Sequence, residues 1–130
     1  MGGSQGVRIL LVDDDRDITT MLKTGLELRS GFSVDAFNDP RDVMSHFKSS
    51  HYDAIVLDIN MPEITGFELA RAIWGQDPAA KVCFLSAFEI RKNEAEKVFS
   101  EFKQHCFMKK PVEVDSLAKH LEQHMLNRED

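Results

Sequence analysis

Tyr52-Asp53-Ala54-Ile55-Val56-Leu57-Asp58 is the stretch on which the reading of the fold turns. Its core, Ala54 to Leu57, is a short apolar run ended by a single carboxylate. A strand apolar on both of its faces belongs in a sheet that is covered on both sides. Two similar runs precede it, Val7 to Val12 (broken only by Arg8) and Phe32 to Phe37. Two more follow it, Val82 to Leu85 and Cys106 to Met108. Between them, apolar residues recur at helical spacing. The first such stripe is Ile18, Met21, Leu22, Gly25 and Leu26, and the second is Val43, Met44 and Phe47. Leu69, Ala70 and Ile73 form a third, closed by Gly75 and Pro78; Ala95, Val98, Phe99 and Phe102 form a fourth. Val114, Leu117, Leu121 and Met125 line the last. Asp15 reads as the N-cap of the first helix, and Asp39 with Pro40 as the start of the second. Strict alternation of β and α predicts a doubly wound α/β domain: a five-stranded parallel sheet, five helices and right-handed crossovers.

The 130 residues suffice for one domain with its own core. A composition of 42% hydrophobic and 29% charged residues fits a globular chain and excludes disorder. No apolar run is long enough to span a membrane, so no membrane partner is expected. Residues 1–6 are small and polar and read as a flexible start or a cloning remnant; residues 7–127 are the expected domain and 128–130 a tail. The net charge of −6 argues against direct nucleic-acid binding, which needs clustered Lys and Arg. A cytoplasmic location is expected. Cys83 and Cys106, both in strand-like runs, read as two buried free thiols, a disulfide being disfavoured in a cytosolic chain.

In a doubly wound sheet, ligands bind at the carboxyl ends of the strands. The chemically capable residues fall there: Asp13-Asp14-Asp15 after the first run, Asp58 after the third, Ser86 after the fourth and Lys109-Lys110-Pro111 after the fifth. Carboxylates held this close repel one another unless a cation relieves them. A hard divalent ion, Mg²⁺ above all, with Mn²⁺ as a substitute, suits such oxygen ligands. A metal, a lysine and a hydroxyl around one carboxylate are also what a phosphoryl group needs. Asp58, at the centre, is the natural nucleophile, giving an aspartyl phosphate.

Ile9-Leu10-Leu11-Val12-Asp13-Asp14-Asp15, Leu57-Asp58-Ile59-Asn60-Met61-Pro62 with Gly66, Leu85-Ser86-Ala87 and Lys110-Pro111 together resemble the receiver domain of two-component response regulators. The resemblance covers nearly the whole chain. It implies a flavodoxin-like sheet of strand order 2-1-3-4-5, a topology carried over rather than read from periodicity. It implies that Asp58 is the phosphoacceptor, and that Asp14 binds Mg²⁺ together with Asp58 and the backbone carbonyl of Asn60. Asp13 assists through water. Ser86 is then the switch hydroxyl, Lys110 the phosphate-contacting lysine before a cis proline, and Phe107 the aromatic switch residue. The implied partners are a histidine kinase or phosphotransfer protein, and an effector domain or protein reached through the fourth helix, fifth strand and fifth helix.

Some positions depart from the family pattern. Ser86 lacks the methyl of the commoner threonine, Phe107 has no hydroxyl, and Phe88 places a bulky group where water approaches the phosphoryl group in relatives. Other residues have ordinary readings: Lys109 as solvated, Gly66 as a helix start or a close approach, Phe99 and Phe102 as core. His120 and His124, one helical turn apart, read as surface histidines with no ligand partner at spacing. Trp74 lies away from Asp58 and would report phosphorylation poorly. The competing function is a Mg²⁺-dependent aspartyl-phosphate hydrolase. Such enzymes place a second Asp two residues after the nucleophile; here that position is Asn60, which transfers no proton. A flavin carrier ranks last, since the acidic strand ends repel a flavin phosphate. A phosphorylation-switched signalling module, either stand-alone or part of a longer protein, is the function expected.

Overall fold

A computed structural model describes residues 6–87 and 106–125. Five strands form one parallel sheet in the order β2-β1-β3-β4-β5. They are β1 (Arg8–Val12), β2 (Ser33–Phe37), β3 (Ala54–Asp58), β4 (Val82–Ser86) and β5 (Cys106–Lys109). Among the described residues there are four helical segments: α1 (Arg16–Ser30), α2 (Pro40–His46), α3 (Gly66–Gln76) and a C-terminal helix (Val114–His120) that widens into a π-type turn over Leu121–Met125. The helix expected around Ala95 to Phe102, together with Phe88, lies outside the described residues.

The two-sided apolar runs are explained by two cores, one on each face. Ile9, Leu11, Val56, Cys83 and Leu85 face Leu22 and Leu26 of α1 and Leu117 of the C-terminal helix. Their strand neighbours Leu10, Val12, Ile55, Leu57 and Phe84 face Val43 of α2 and Leu69 and Ile73 of α3. Alternate side chains of each strand therefore feed opposite cores, as the period of two requires.

Local signals set most boundaries as expected. The Asp15 carboxylate accepts from the Asp17 and Ile18 amides, and Asp39 accepts from that of Arg41. Thr65 and Glu68 form a reciprocal capping box at the start of α3. Gly75 does not close α3; the helix runs on to Gln76, with Asp77 as its cap, because one glycine costs only about 1 kcal/mol inside a helix. Met21, placed by spacing on the buried stripe of α1, is 49% exposed at its margin. Gly25 has a packing role: a Cβ there would run into Val114, so it lets the C-terminal helix lie close against α1.

One expectation is overturned. Cys83 and Cys106 are not free thiols but joined in a disulfide. They are 23 residues apart in sequence yet directly opposite in the β4–β5 register, with Cα atoms 4.3 Å apart. Strand register is a tertiary fact, and it brings together what spacing keeps apart.

Candidate functional site

The site lies at the carboxyl edge of the sheet. β1 delivers Asp13, whose amide donates to the Phe37 carbonyl at 3.1 Å and whose carbonyl accepts from Asn38 Nδ2 at 2.9 Å. The same Asn38 amide donates to Thr19 Oγ1, so β1, α1 and the end of β2 are locked around this aspartate. The Asp13 carboxylate is wholly buried and accepts from the Asp15 amide at 2.9 Å. Asp14, the next residue, is exposed.

Asp58 ends β3 and is 2% exposed. The Asn60 amide reaches back to its Oδ1 at 3.4 Å, at the long limit of a hydrogen bond. Gly66 packs directly over the strand end, where any Cβ would meet the Asp58 carbonyl oxygen and backbone. The reading of Gly66 as a position of close approach is borne out, and the approach is to Asp58 itself.

β5 leads to Lys110, which is joined to Pro111 by a cis peptide bond, as the resemblance implies. The Lys110 amide donates to the Ser86 carbonyl at 2.8 Å, tying the ends of β4 and β5 together. Its ammonium lies 2.7 Å from Asp13 Oδ2 and 3.3 Å from Asp58 Oδ1. Lys109 is exposed. Phe107, paired with Phe84 in the register, packs on it with ring centroids 5.2 Å apart and touches Phe67 at 6.4 Å.

Electrostatics follow from this packing. Burial first, then the charge of Asp13, push Asp58 up to about 7, against the pull of Lys110. Asp14 adds to the rise through a hydrogen bond to Asp58. For Lys110, burial favours the neutral amine, but the hydrogen bond and charge of Asp13, with Asp58 behind them, outweigh it and hold the ammonium above its ordinary range. Asp13, Asp14 and Asp58 each offer an oxygen within 4.8 Å of the others. Three carboxylates against one ammonium leave excess negative charge on an all-oxygen donor set, which fits a hard divalent cation.

The structure thus brings Asp13, Asp14, Asp58 and Lys110 into one cluster, with Ser86 beside them on the same edge and Phe107 three residues before Lys110, back along β5. Sequence reading missed Asn38 and Thr19, whose support of Asp13 depends on tertiary placement. It also missed His120, which is not a lone surface histidine: a ring nitrogen lies within 4.8 Å of the sulfurs of both Cys83 and Cys106.

The family profile of the response regulator receiver domain matches residues 9–122. The transcriptional regulatory protein PrrA of Mycobacterium leprae is 41% identical over 85 residues, which cover 65% of this chain and 36% of PrrA. The sensor protein EvgS of Escherichia coli K12 is 35% identical over 115 residues, covering 88% of this chain and 9% of EvgS. The chain therefore spans about a third or less of the length of these relatives. Among solved structures, the response regulator TrrA of Thermotoga maritima in complex with Mg²⁺ and BeF superposes with a TM-score of 0.75 at 29% identity, over 90% of this chain and 97% of that one. The non-phosphorylated HemR receiver domain of Leptospira biflexa gives a TM-score of 0.79 at 25% identity, over 95% and 98% of the two chains.

Proposed function

The chain belongs to the response regulator receiver family, the phosphorylation-switched modules of two-component signalling, and from that membership we propose that Asp58 is its phosphoacceptor. The observation that carries the assignment is the Lys110 ammonium bridging two buried carboxylates, of which Asp58 is the one at the centre of the sheet edge. An Asp58 carboxylate oxygen attacks the phosphorus of a phosphohistidine or a small phosphodonor. The new P–O bond forms as the bond from phosphorus to the leaving group breaks, and the leaving group takes up a proton. Lys110 balances the charge gathering on the phosphoryl oxygens, and the Ser86 hydroxyl donates to one of them. Asp14, Asp58 and the Asn60 carbonyl, with Asp13 behind water, would hold Mg²⁺ or Mn²⁺. The bound ion neutralises the acidic cluster and the incoming phosphoryl charge.

The donor is a histidine kinase or phosphotransfer protein, and the receiver of the signal an effector domain or protein docking on the face that includes β5 and the C-terminal helix. The charge of −6 supports assigning no nucleic-acid contact to this segment, leaving that role in longer regulators to other segments. No described helix is long and apolar enough to cross a membrane, and a cytoplasmic setting suits a kinase-driven switch. Asn60 supports signalling over turnover as a hydrolase, since an amide cannot relay the proton that hydrolysis requires.

Acetyl phosphate with Mg²⁺ should add one phosphoryl group to the chain, seen by intact-mass spectrometry, and Asp58→Asn should abolish it. Equal labelling of that variant would move the acceptor elsewhere.

A further inference from the structure

On the sheet face away from α2 and α3, a second ligand cluster lies apart from the carboxylates. Cys83 is the second residue of β4, Cys106 opens β5, and His120 is the last residue of the C-terminal helix before its π-type turn; one ligand atom from each lies within 4.8 Å of the other two. Cys83 is wholly buried and Cys106 and His120 are partly so, with the His120 Nε2 itself shut off from solvent. The surroundings are apolar, with Leu85, Leu117 and Leu121 in the same core.

We propose that Cys83, Cys106 and His120, once the disulfide is reduced, form a binding site for Zn²⁺. A dithiol reductant would break the S–S bond, giving up two electrons and two protons and becoming a disulfide itself; Cys83 and Cys106 emerge as thiols. Zn²⁺ then displaces both thiol protons to solvent. Two thiolates and a neutral imidazole around a dication leave no net charge in the apolar pocket, whereas a monovalent soft ion would leave an uncompensated anion there. Zn–S of about 2.3 Å and Zn–N of about 2.0 Å put tetrahedral ligands roughly 3.5–3.8 Å apart, so the two sulfurs, bonded to each other in the disulfide, must separate on reduction while staying within the 4.8 Å that holds the three ligand atoms together. Three protein ligands leave the fourth position to water. Occupied, the site would clasp β4, β5 and the C-terminal helix together. It is independent of the phosphoacceptor assignment.

The test uses the full chain, reduced and desalted without oxygen, titrated with Co²⁺ in excess Mg²⁺ so that the carboxylates are occupied by the harder ion. A thiolate-to-metal charge-transfer band should saturate at one Co²⁺ per chain, vanish on adding one equivalent of Zn²⁺, and be absent from the disulfide form. Cys106→Ser should abolish the band. His120→Gln, on a half-buried position, should keep the fold by circular dichroism and weaken Zn²⁺ binding at least tenfold. No band in the folded, reduced chain, a band unchanged in Cys106→Ser, or full affinity in His120→Gln would each overturn the site. Should Cys106→Ser not fold, the comparison of reduced with oxidised wild type and the His120 variant decide it.

Discussion

Burial and the Asp13 carboxylate push Asp58 up to about 7, so the metal-free protein near neutral pH holds a mixture of ionised and protonated Asp58. The unfolded value is about 4, so between these limits the native state keeps the extra proton. The raised value therefore favours the fold below about pH 4, and that advantage is lost as the pH climbs through 7. In EDTA, Asp58→Asn should be more stable than wild type above pH 7 by on the order of a few kcal/mol, the gap closing toward pH 4. Urea unfolding across that range measures it; a gap that widens on acidification would contradict the electrostatic account. The same residues show what a sequence can disclose. Asp13, Asp58 and Lys110 were legible because each lies within two residues of the end of an apolar run, and strand ends share an edge. Asn38, Thr19 and the sulfurs with His120 were not, since their meeting depends on side-chain reach and strand register.

Elements carry the site's tolerances. Gly66 opens α3 against the end of β3, and its lack of a Cβ sets how closely the helix approaches the strand that carries Asp58. Gly66→Ala must displace backbone, and overpacking of this kind costs about 1–3 kcal/mol. Thermal unfolding should show the loss, with slower labelling by acetyl phosphate; wild-type stability would mean the helix start yields freely. Under the proposed mechanism a phosphoryl group brings about −1.5 to −2 charge, which would draw on Ser86 and Lys110 at the joined ends of β4 and β5. Phe107, on β5, packs against Phe84 and Phe67 rather than standing in solvent, so a shift of these strand ends must repack an aromatic cluster. Ser86→Ala and Lys110→Ala should still accept some phosphate, yet lose the amide shift changes around Phe107 on binding beryllofluoride. Full wild-type shifts in both would place the coupling elsewhere. Strands were readable from their apolar runs; helix ends were less so, because Gly75 signals a stop that the α3 packing overrides.

Across the whole molecule, alternating β and α units dictate a parallel sheet but leave many strand orders open. The order 2-1-3-4-5 came from the motifs' resemblance, and the pairing of β1 with both β2 and β3 bears it out. The two cores follow from composition and period alone, since every central strand is apolar on both sides. β3 occupies the middle of the sheet with all five residues buried, while β5 lies at the edge with none in that state. Amide protons of Ile55 to Leu57 should then exchange with deuterium only when the whole domain unfolds, and those of Phe107 and Met108 through local opening. Exchange of the reduced protein followed by mass spectrometry would show this, and equal protection of the two strands would remove the gradient. Asp58 should thus sit on the strand that opens least and Phe107 on one that opens readily: under the proposed switch, a small event fixed at the stiffest point would be read out where the lattice of hydrogen bonds is softest.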